Sequence, residues 1–242
     1  MYCLPYSDRG QHRLLIVEVT ISRRKVPVRY FTPGANVSER GALPPPVAVS
    51  TVIFALREET LSLPLVKRIK EPYGGLWALP GGPVTWDESL LHIAYRTLYD
   101  TTGLQPQYLE QLYTFGEPGR SIAQRVISIV YWAQLNDAQA SASAENVHWF
   151  PVRSLPHMAF DHEEIIRYAL RRLQAKVELA AGFLPETFTL AQLRHVYEEI
   201  LGHALDVANF RRQVLKDGHV IETGEVMAGK AHRPAKLYRA VE

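Results

Sequence analysis

Cysteine is almost missing: Cys3 is the only one in 242 residues, which excludes an intramolecular disulfide framework and a cysteine-rich zinc site. An excess of one charge is missing too. Lysine plus arginine number 27 and aspartate plus glutamate 25, a formal +2 at pH 7. The chain is therefore no polycation overall, although such a balance can hide a local basic face. Long hydrophobic runs are also lacking. The longest near the start, Leu14 to Ile21, covers eight residues, is interrupted by Glu18 and is followed by Arg23-Arg24-Lys25. That is too short to span a bilayer, and the flanks are wrong for a signal peptide. The expectation is a soluble, cytoplasmic protein without a membrane partner. What is present suits a globular chain: 47% apolar and 21% charged residues fit neither disorder nor a fibrous repeat. At roughly 150 residues per domain, the length suits one large domain or two small ones.

Three segments differ in texture. In residues 1 to 43, Val17, Val19 and Ile21 alternate with Glu18 and Thr20, and Val26 to Phe31 is a second β-rich run. This reads as an N-terminal β-hairpin, with basic residues at its tip and a Gly/Pro/Asn loop from Thr32 to Pro46. Residues 44 to 180 read as strands mixed with two helices. Strands are expected at Val47 to Leu56, Leu65 to Arg68, Leu112 to Phe115, Val126 to Leu135 and Val147 to Phe150; Pro64 suggests an edge or a bulge. A helix is expected from Glu88 to about Thr101, with Asp87 as N-cap, Gly103 beyond its end, and Leu90, Leu91, Ala94 and Leu98 on its apolar face. A second runs from Glu163 to about Leu179, with Asp161 and Glu164 as a capping-box-like pair. Having neither glycine nor proline, it is suited to transmit a rotation.

Residues 181 to 242 carry another pattern. Thr189-x-x-Gln192 is a capping-box signature, and Leu190, Leu193, Val196, Tyr197, Ile200 and Leu201 follow at helical spacing. Gly202-His203-Ala204-Leu205 breaks that helix. Asp206 caps a second one, with Phe210, Val214 and Leu215 inward and Asn209, Arg211, Arg212 and Lys216 outward. Two strands, Val220 to Glu222 and Leu237 to Val241, then flank a loop holding Gly224, Gly229, Lys230, Arg233 and Lys236. Helix, turn, helix and β-hairpin is the order of a winged helix-turn-helix. Residues 207 to 241 contain seven basic and three acidic side chains, the local positive face expected of a module that binds nucleic-acid phosphates.

The densest pattern lies around the first of these helices. Gly82, five residues, Glu88, seven residues, Arg96, then Leu98 and Gly103-Leu104, preceded by Trp77-x-Leu79-Pro80-Gly81-Gly82, resembles the Nudix box. In that family the pattern is Gly, five residues, Glu, seven residues, Arg-Glu-aliphatic-x-Glu-Glu-x-Gly-aliphatic. The resemblance covers about residues 47 to 175 and implies an α/β (α+β) Nudix fold. It also implies that three glutamates of the box helix bind divalent metal in active members. Here those positions are Thr97, Asp100 and Thr101. A neutral hydroxyl is a far weaker ligand for a hard dication than a carboxylate, and efficient metal-assisted hydrolysis needs fixed ions. The expectation is a surviving pocket without its chemistry, with no catalytic residue, no required cofactor and Asp100 as a weak metal candidate. Glu88 and Arg96 would brace the loop against the helix.

The same resemblance bears on what the pocket holds. In Nudix enzymes acting on ADP-ribose a proline commonly lies about fifteen positions after the last box glycine, and Pro118 is fifteen after Gly103. Arg68 and Arg120 are candidates to pair with a diphosphate, which suits the forked guanidinium, or are surface arginines. Trp77 stacks on a base or packs a loop. His162 lines the pocket or only starts a helix. Gly81 and Gly82 complete the candidate ligand set.

With its tail, the chain resembles the Nudix-related transcriptional regulators of bacterial NAD metabolism. Phe188-Thr189-Leu190, Asn209-Phe210-Arg211-Arg212, Thr223-Gly224 and Arg233-Pro234-Ala235-Lys236-Leu237-Tyr238-Arg239 look like that family's C-terminal domain, so the resemblance covers nearly everything after residue 46. It implies a homodimeric repressor of NAD-synthesis or salvage genes, released from double-stranded operator DNA by ADP-ribose or a related nucleotide. The candidate DNA contacts are Thr189, Asn209, Arg211, Arg212, Lys216, Lys230, Arg233 and Lys236. Two readings compete with it: an active hydrolase of ADP-ribose or another nucleoside diphosphate derivative, with the tail as an oligomerisation arm, and a binding module with no DNA role.

Overall fold

The computed structural model describes residues 15–21, 24–30, 45–121, 125–136, 139–140, 145–227 and 234–241. The chain divides into two compact units, Met1–Pro44 and Pro45–Glu242. In the first, β1 (Leu15–Ile21) and β2 (Arg24–Tyr30) pair antiparallel, from Leu15 opposite Tyr30 to Ile21 opposite Arg24. The alternating text thus becomes the expected hairpin. Its tip, Ser22 and Arg23, and the loop up to residue 44 lie outside the described residues.

The second unit is built on a seven-stranded sheet. Its strands are β3 (Val47–Arg57), β4 (Thr60–Lys67), β5 (Trp77–Ala78), β6 (Gly81–Pro83), β7 (Glu110–Phe115), β8 (Ile127–Leu135) and β9 (Val147–Pro151). β3 and β8 run parallel from Val47 opposite Ile127 to Ala55 opposite Leu135, and the other pairings are antiparallel. Helix α1 (Leu90–Thr102) covers one face and α2 (His162–Ala175) the other. Val52, Phe54, Val130 and Trp132 share a core with Ile165, Ile166 and Leu173 of α2, whereas Ile53, Ala55, Tyr131 and Ala133 meet Ile93, Ala94 and Leu98 of α1. Successive side chains of a strand point to opposite faces, so a strand covered on both reads as an unbroken apolar run. Pro64 sits where β4 changes neighbour: pairing with β3 ends at Ser62 and pairing with β5 begins at Val66. A residue without N–H is tolerated at that margin.

The helix starts differ from the sequence expectations, which placed the first N-cap at Asp87. α1 begins at Leu90 rather than Glu88, and its N-cap is Ser89, whose hydroxyl accepts from the His92 N–H at 3.2 Å. Glu88 is held by Arg96 and Thr85 instead. Ile93 belongs to the buried face, while Leu91 is exposed. Gly103 closes the helix with φ 73°, as a left-handed C-cap requires. At α2, Asp161 occupies the N-cap position but makes no side-chain cap bond, because its carboxylate is taken by Arg120. α2 also stops at Ala175. A 3₁₀ segment, Val177–Phe183, follows and contains Gly182, so the uninterrupted lever to Leu179 is not formed.

The C-terminal part packs β10 (Phe188–Thr189), α3 (Leu190–Leu201), α4 (Val207–Asp217), β11 (Val220–Val226) and β12 (Lys236–Ala240), with strands in the order β10-β12-β11. The Thr189–Gln192 capping box and the Asp206 cap both form. Phe210 and Val214 are buried; Leu215, expected inward, is exposed. β11 runs beyond Glu222, with a register shift between Glu222 and Val226 that accommodates Gly224 at φ 84°. That glycine is therefore in a bulged strand, not in the loop. Leu193, Val196 and Ile200 of α3 belong to the same core cluster as Leu61 and Leu63 of β4 and Ile166 of α2. Polar ties reinforce the junction: Leu61 N–H donates to Glu199 Oε2 at 2.9 Å, and Gln174 Nε2 donates to the Ile200 carbonyl at 3.0 Å.

Candidate functional site

A cavity of about 650 Å³ opens between the start of β3, the end of β4, the β5–β6 loop and the entry to α2. Such a volume suits a nucleotide-sized ligand. Of the candidate ligand residues, Arg68, Gly81, Gly82, Arg120 and His162 line it; Trp77 and Pro118 do not. Trp77 packs edge-on against His148 and Phe150 of β9, with ring centroids 5.2 and 4.9 Å away, so its indole supports the sheet. Pro118 lies exposed in a turn. Gly81 is needed for close approach: a Cβ there would strike the Val49 carbonyl and come within 2.9 Å of Ser50 Cα. Gly82 faces α1, where a Cβ would lie 3.0 Å from Thr97 Cγ2.

The two arginines are held by protein. Arg120, with its side chain 5% exposed, donates to Asp161 Oδ2 from Nε at 2.9 Å and to Oδ1 from Nη2 at 2.7 Å. Its Nη1 donates to the Val126 carbonyl and Ser128 Oγ at 3.0 and 2.9 Å. The fork expected for a diphosphate is thus occupied, and Arg120 is a wall element that ties the loop after β7 to α2. Arg68 stands over the Phe160 ring at 4.7 Å and donates to the Lys70 and Pro72 carbonyls. Both acceptors are exposed loop groups, and among the described residues its charge has no carboxylate partner.

His162 both starts α2 and lines the cavity. It is buried, and its Nδ1 accepts the Leu79 N–H at 2.9 Å. Burial first, then the Arg120 and Arg68 charges, push its pKa down from 6.5 to about 3, so the ring is neutral. Residues missed by sequence reading are Phe160, Ser128, Lys67 and Lys70, all in the lining. Phe160 has φ 56°, a conformation costly for an aromatic residue and kept only where the surroundings impose it. No sequence signal marks it; the lysines flank Arg68 and were visible.

The box helix presents a poor donor set for a dication. Thr97 Oγ1 donates to the Ile93 carbonyl at 2.7 Å and Thr101 Oγ1 to the Thr97 carbonyl. Asp100 is exposed, with Oδ2 3.7 Å from Arg96 Nη1. Glu88 is clamped by Arg96, Nε to Oε1 at 2.7 Å and Nη2 to Oε2 at 2.6 Å, and accepts from Thr85 Oγ1 at 2.8 Å. Those bonds, Arg96 foremost, lower its pKa from 4.5 to about 2. It braces the loop, as the resemblance implied. Among the described residues no group of three or more His, Cys, Asp or Glu side chains could hold a metal ion. These side chains therefore do not fit the metal cluster that the fold family implies.

On the C-terminal part, α4 exposes Asn209, Arg211, Arg212 and Lys216. Arg212 Nη2 donates to Asn209 Oδ1 at 2.8 Å. Thr189, a candidate DNA contact, is instead buried at 6% exposure by its capping role, where its hydroxyl accepts from Gln192 N–H. Lys236 is paired with Glu222 at 2.7 Å. Together with Arg211, it lines a smaller groove of about 320 Å³ beside the start of α3. Lys230 and Arg233 lie outside the described residues.

The class is now defined: an α/β Nudix domain with a ligand-sized cavity, followed by a winged helix that shares its core. Residues 44–173 match the NUDIX domain family, and residues 180–240 match the NrtR DNA-binding winged helix domain. The chain belongs to the NrtR family, and both the family resemblance and the fold class read from sequence are borne out. The ADPR responsive transcriptional repressor NtrR of Acinetobacter baylyi is 34% identical over 206 residues, covering 81% of this chain and 82% of that protein. The crystal structure of Shewanella oneidensis NrtR complexed with a 27mer DNA shares 34% identity and a TM-score of 0.69, over 81% of this chain and 93% of that one. The ADP-ribose pyrophosphatase of Methanocaldococcus jannaschii is 34% identical over 131 residues, 53% of this chain and 75% of the enzyme.

Proposed function

We propose that the chain is an ADP-ribose-responsive transcriptional repressor that binds operator DNA, acts on genes of NAD synthesis or salvage, and does not hydrolyse its effector. The observation that carries this reading is the sharing of one core by two parts. A ligand-sized cavity and an exposed, arginine-bearing second helix of a winged helix belong to the same packed unit. Residues 44–180 act as sensor and 181–242 as DNA reader. Arg68, with Lys67 and Lys70 beside it, meets the diphosphate, and Gly81 and Gly82 line the same cavity. Asn209, Arg211, Arg212 and Lys216 face the DNA from α4, and Lys230, Arg233 and Lys236 reach it from the wing.

A homodimer is the economical assembly, because one winged helix reads only a short half-site and two can sit about one helical turn apart. Effector binding then changes the spacing of the two α4 helices. The break after Ala175 makes this a movement about the α2–3₁₀ junction rather than the turning of one rigid rod. A mobility-shift assay on the DNA upstream of the protein's own gene tests the proposal. Retardation relieved by ADP-ribose is expected, and retardation indifferent to it contradicts the sensor role.

The hydrolase reading has one observation in its favour, the similarity to an ADP-ribose pyrophosphatase over the Nudix part. Against it stand Thr97 and Thr101, whose hydroxyls replace two carboxylates and are turned onto helix carbonyls. Incubation with ADP-ribose and magnesium or manganese is expected to release no AMP at a rate near the enzyme median of about 10 per second. Such a rate would restore the hydrolase reading.

A further inference from the structure

His162 has a second nitrogen that the fold leaves to the cavity. Its Nδ1 accepts the Leu79 N–H at 2.9 Å, and an imidazole that accepts at Nδ1 carries its proton on Nε2. The bond to Leu79 is the hydrogen bond that the His162 side chain makes among the described residues. Yet Nε2 is not sealed in protein: among the described residues, the buried side-chain atoms without a partner belong to Trp132, Gln134 and Trp149. A residue 7% exposed that lines the cavity therefore presents one oriented N–H to whatever fills it.

We infer that His162 Nε2–H is a donor that reads an uncharged acceptor, a sugar oxygen or a nucleobase nitrogen or oxygen, on the nucleoside part of the effector. The inference rests on the nucleotide-effector reading above and assigns one residue its part in it. The groups around the ring favour it. Phe160 lies 5.2 Å away. Arg120 stands beside the ring with its charge met by Asp161, and Arg68 approaches from the end of β4. Burial and these two cations keep the imidazole uncharged at any physiological pH. A neutral donor gives little to a phosphate, which the outer cations Lys67, Arg68 and Lys70 serve better. It gives a full hydrogen bond to an uncharged acceptor, and the site loses that bond whenever the acceptor is missing. The Leu79 N–H also makes the tautomer part of the glycine-bearing loop, because Leu79 immediately precedes Pro80-Gly81-Gly82.

The test uses the full chain and ADP-ribose. In ¹⁵N-labelled wild-type protein, the Nε2 nitrogen and proton resonances of His162 should shift on ligand addition and stay protonated, with Nδ1 little changed. Calorimetry at pH 6 in two buffers of different ionisation heat should show no proton uptake. H162N keeps an oxygen for the Leu79 N–H, and its amide nitrogen stops short of the Nε2 position, so its affinity should fall roughly five- to tenfold. If wild type binds but the Nε2 resonances do not move, or H162N binds equally well, the inference fails and the effector reading stands. Uptake of about one proton would mean an imidazolium on a phosphate and also overturns it. Absence of binding to wild type overturns both. Should H162N not fold, the wild-type resonances alone decide.

Discussion

The cavity wall and the outer face of α4 both carry arginine and hold it in opposite ways. Arg120 makes four hydrogen bonds to protein and is almost fully covered. Arg211 and Arg212 lie on an exposed helix face, Arg212 bonded to its neighbour Asn209. An arginine bonded on all sides supplies shape and fixes loops, whereas one facing solvent keeps its fork for a phosphate or a base edge. The same residue type thus builds the cavity wall and equips the exposed helix.

Removing each kind sharpens that contrast. Arg120→Ala should destabilise the fold by about 3–5 kcal/mol, because it strands a largely covered Asp161 carboxylate. Denaturant unfolding measures it, and a loss below about 1 kcal/mol, the usual worth of a surface pair, would make Arg120 a surface arginine after all. Gly81→Ala should cost about 1–3 kcal/mol by forcing β6 away from β3; an unchanged unfolding midpoint would show that the strands are not this close. Arg211→Ala and Arg212→Ala should leave stability within about 0.5 kcal/mol while weakening operator binding. A base contact is worth about 1–3 kcal/mol at one position. A phosphate contact instead lowers the salt slope by roughly one for all sequences. Unchanged operator affinity in both variants would remove α4 from the interface.

The smallest effect concerns Glu88. Its folded-state pKa is depressed from 4.5 to about 2, so its contribution is fully present above pH 4.5 and lost as pH falls through 2. The difference in unfolding midpoint between wild type and Glu88→Gln should be constant from pH 7 to 5 and shrink steadily below 4.5. A difference that instead grows in acid would contradict the Arg96 clamp.

Local patterns were legible in the sequence because their causes are local. Gly103, Thr189 with Gln192, and Asp206 sit where the capping rules put them. The box offsets placed Thr97 and Thr101 on one helix. Long-range partners were not legible. Asp161 reads as a cap until Arg120, 41 residues earlier, claims its carboxylate. Trp77 looks like a stacking platform until β9 packs on it, and the aromatic that reaches the cavity is Phe160, in a backbone conformation no sequence rule assigns to phenylalanine. Arginine count and spacing say nothing about which guanidinium is already satisfied.

In the proposed function the cavity and α4 are coupled through one effector. Linkage makes the coupling reciprocal: if ADP-ribose weakens operator binding, operator DNA must weaken ADP-ribose binding by the same factor, typically about 5- to 150-fold. The direct measurement is calorimetric titration of ADP-ribose into the protein alone and into its complex with operator DNA. A lower affinity in the complex, equal in ratio to the loss of operator affinity at saturating ADP-ribose, is the predicted result. Equal affinities in the two titrations would contradict that coupling.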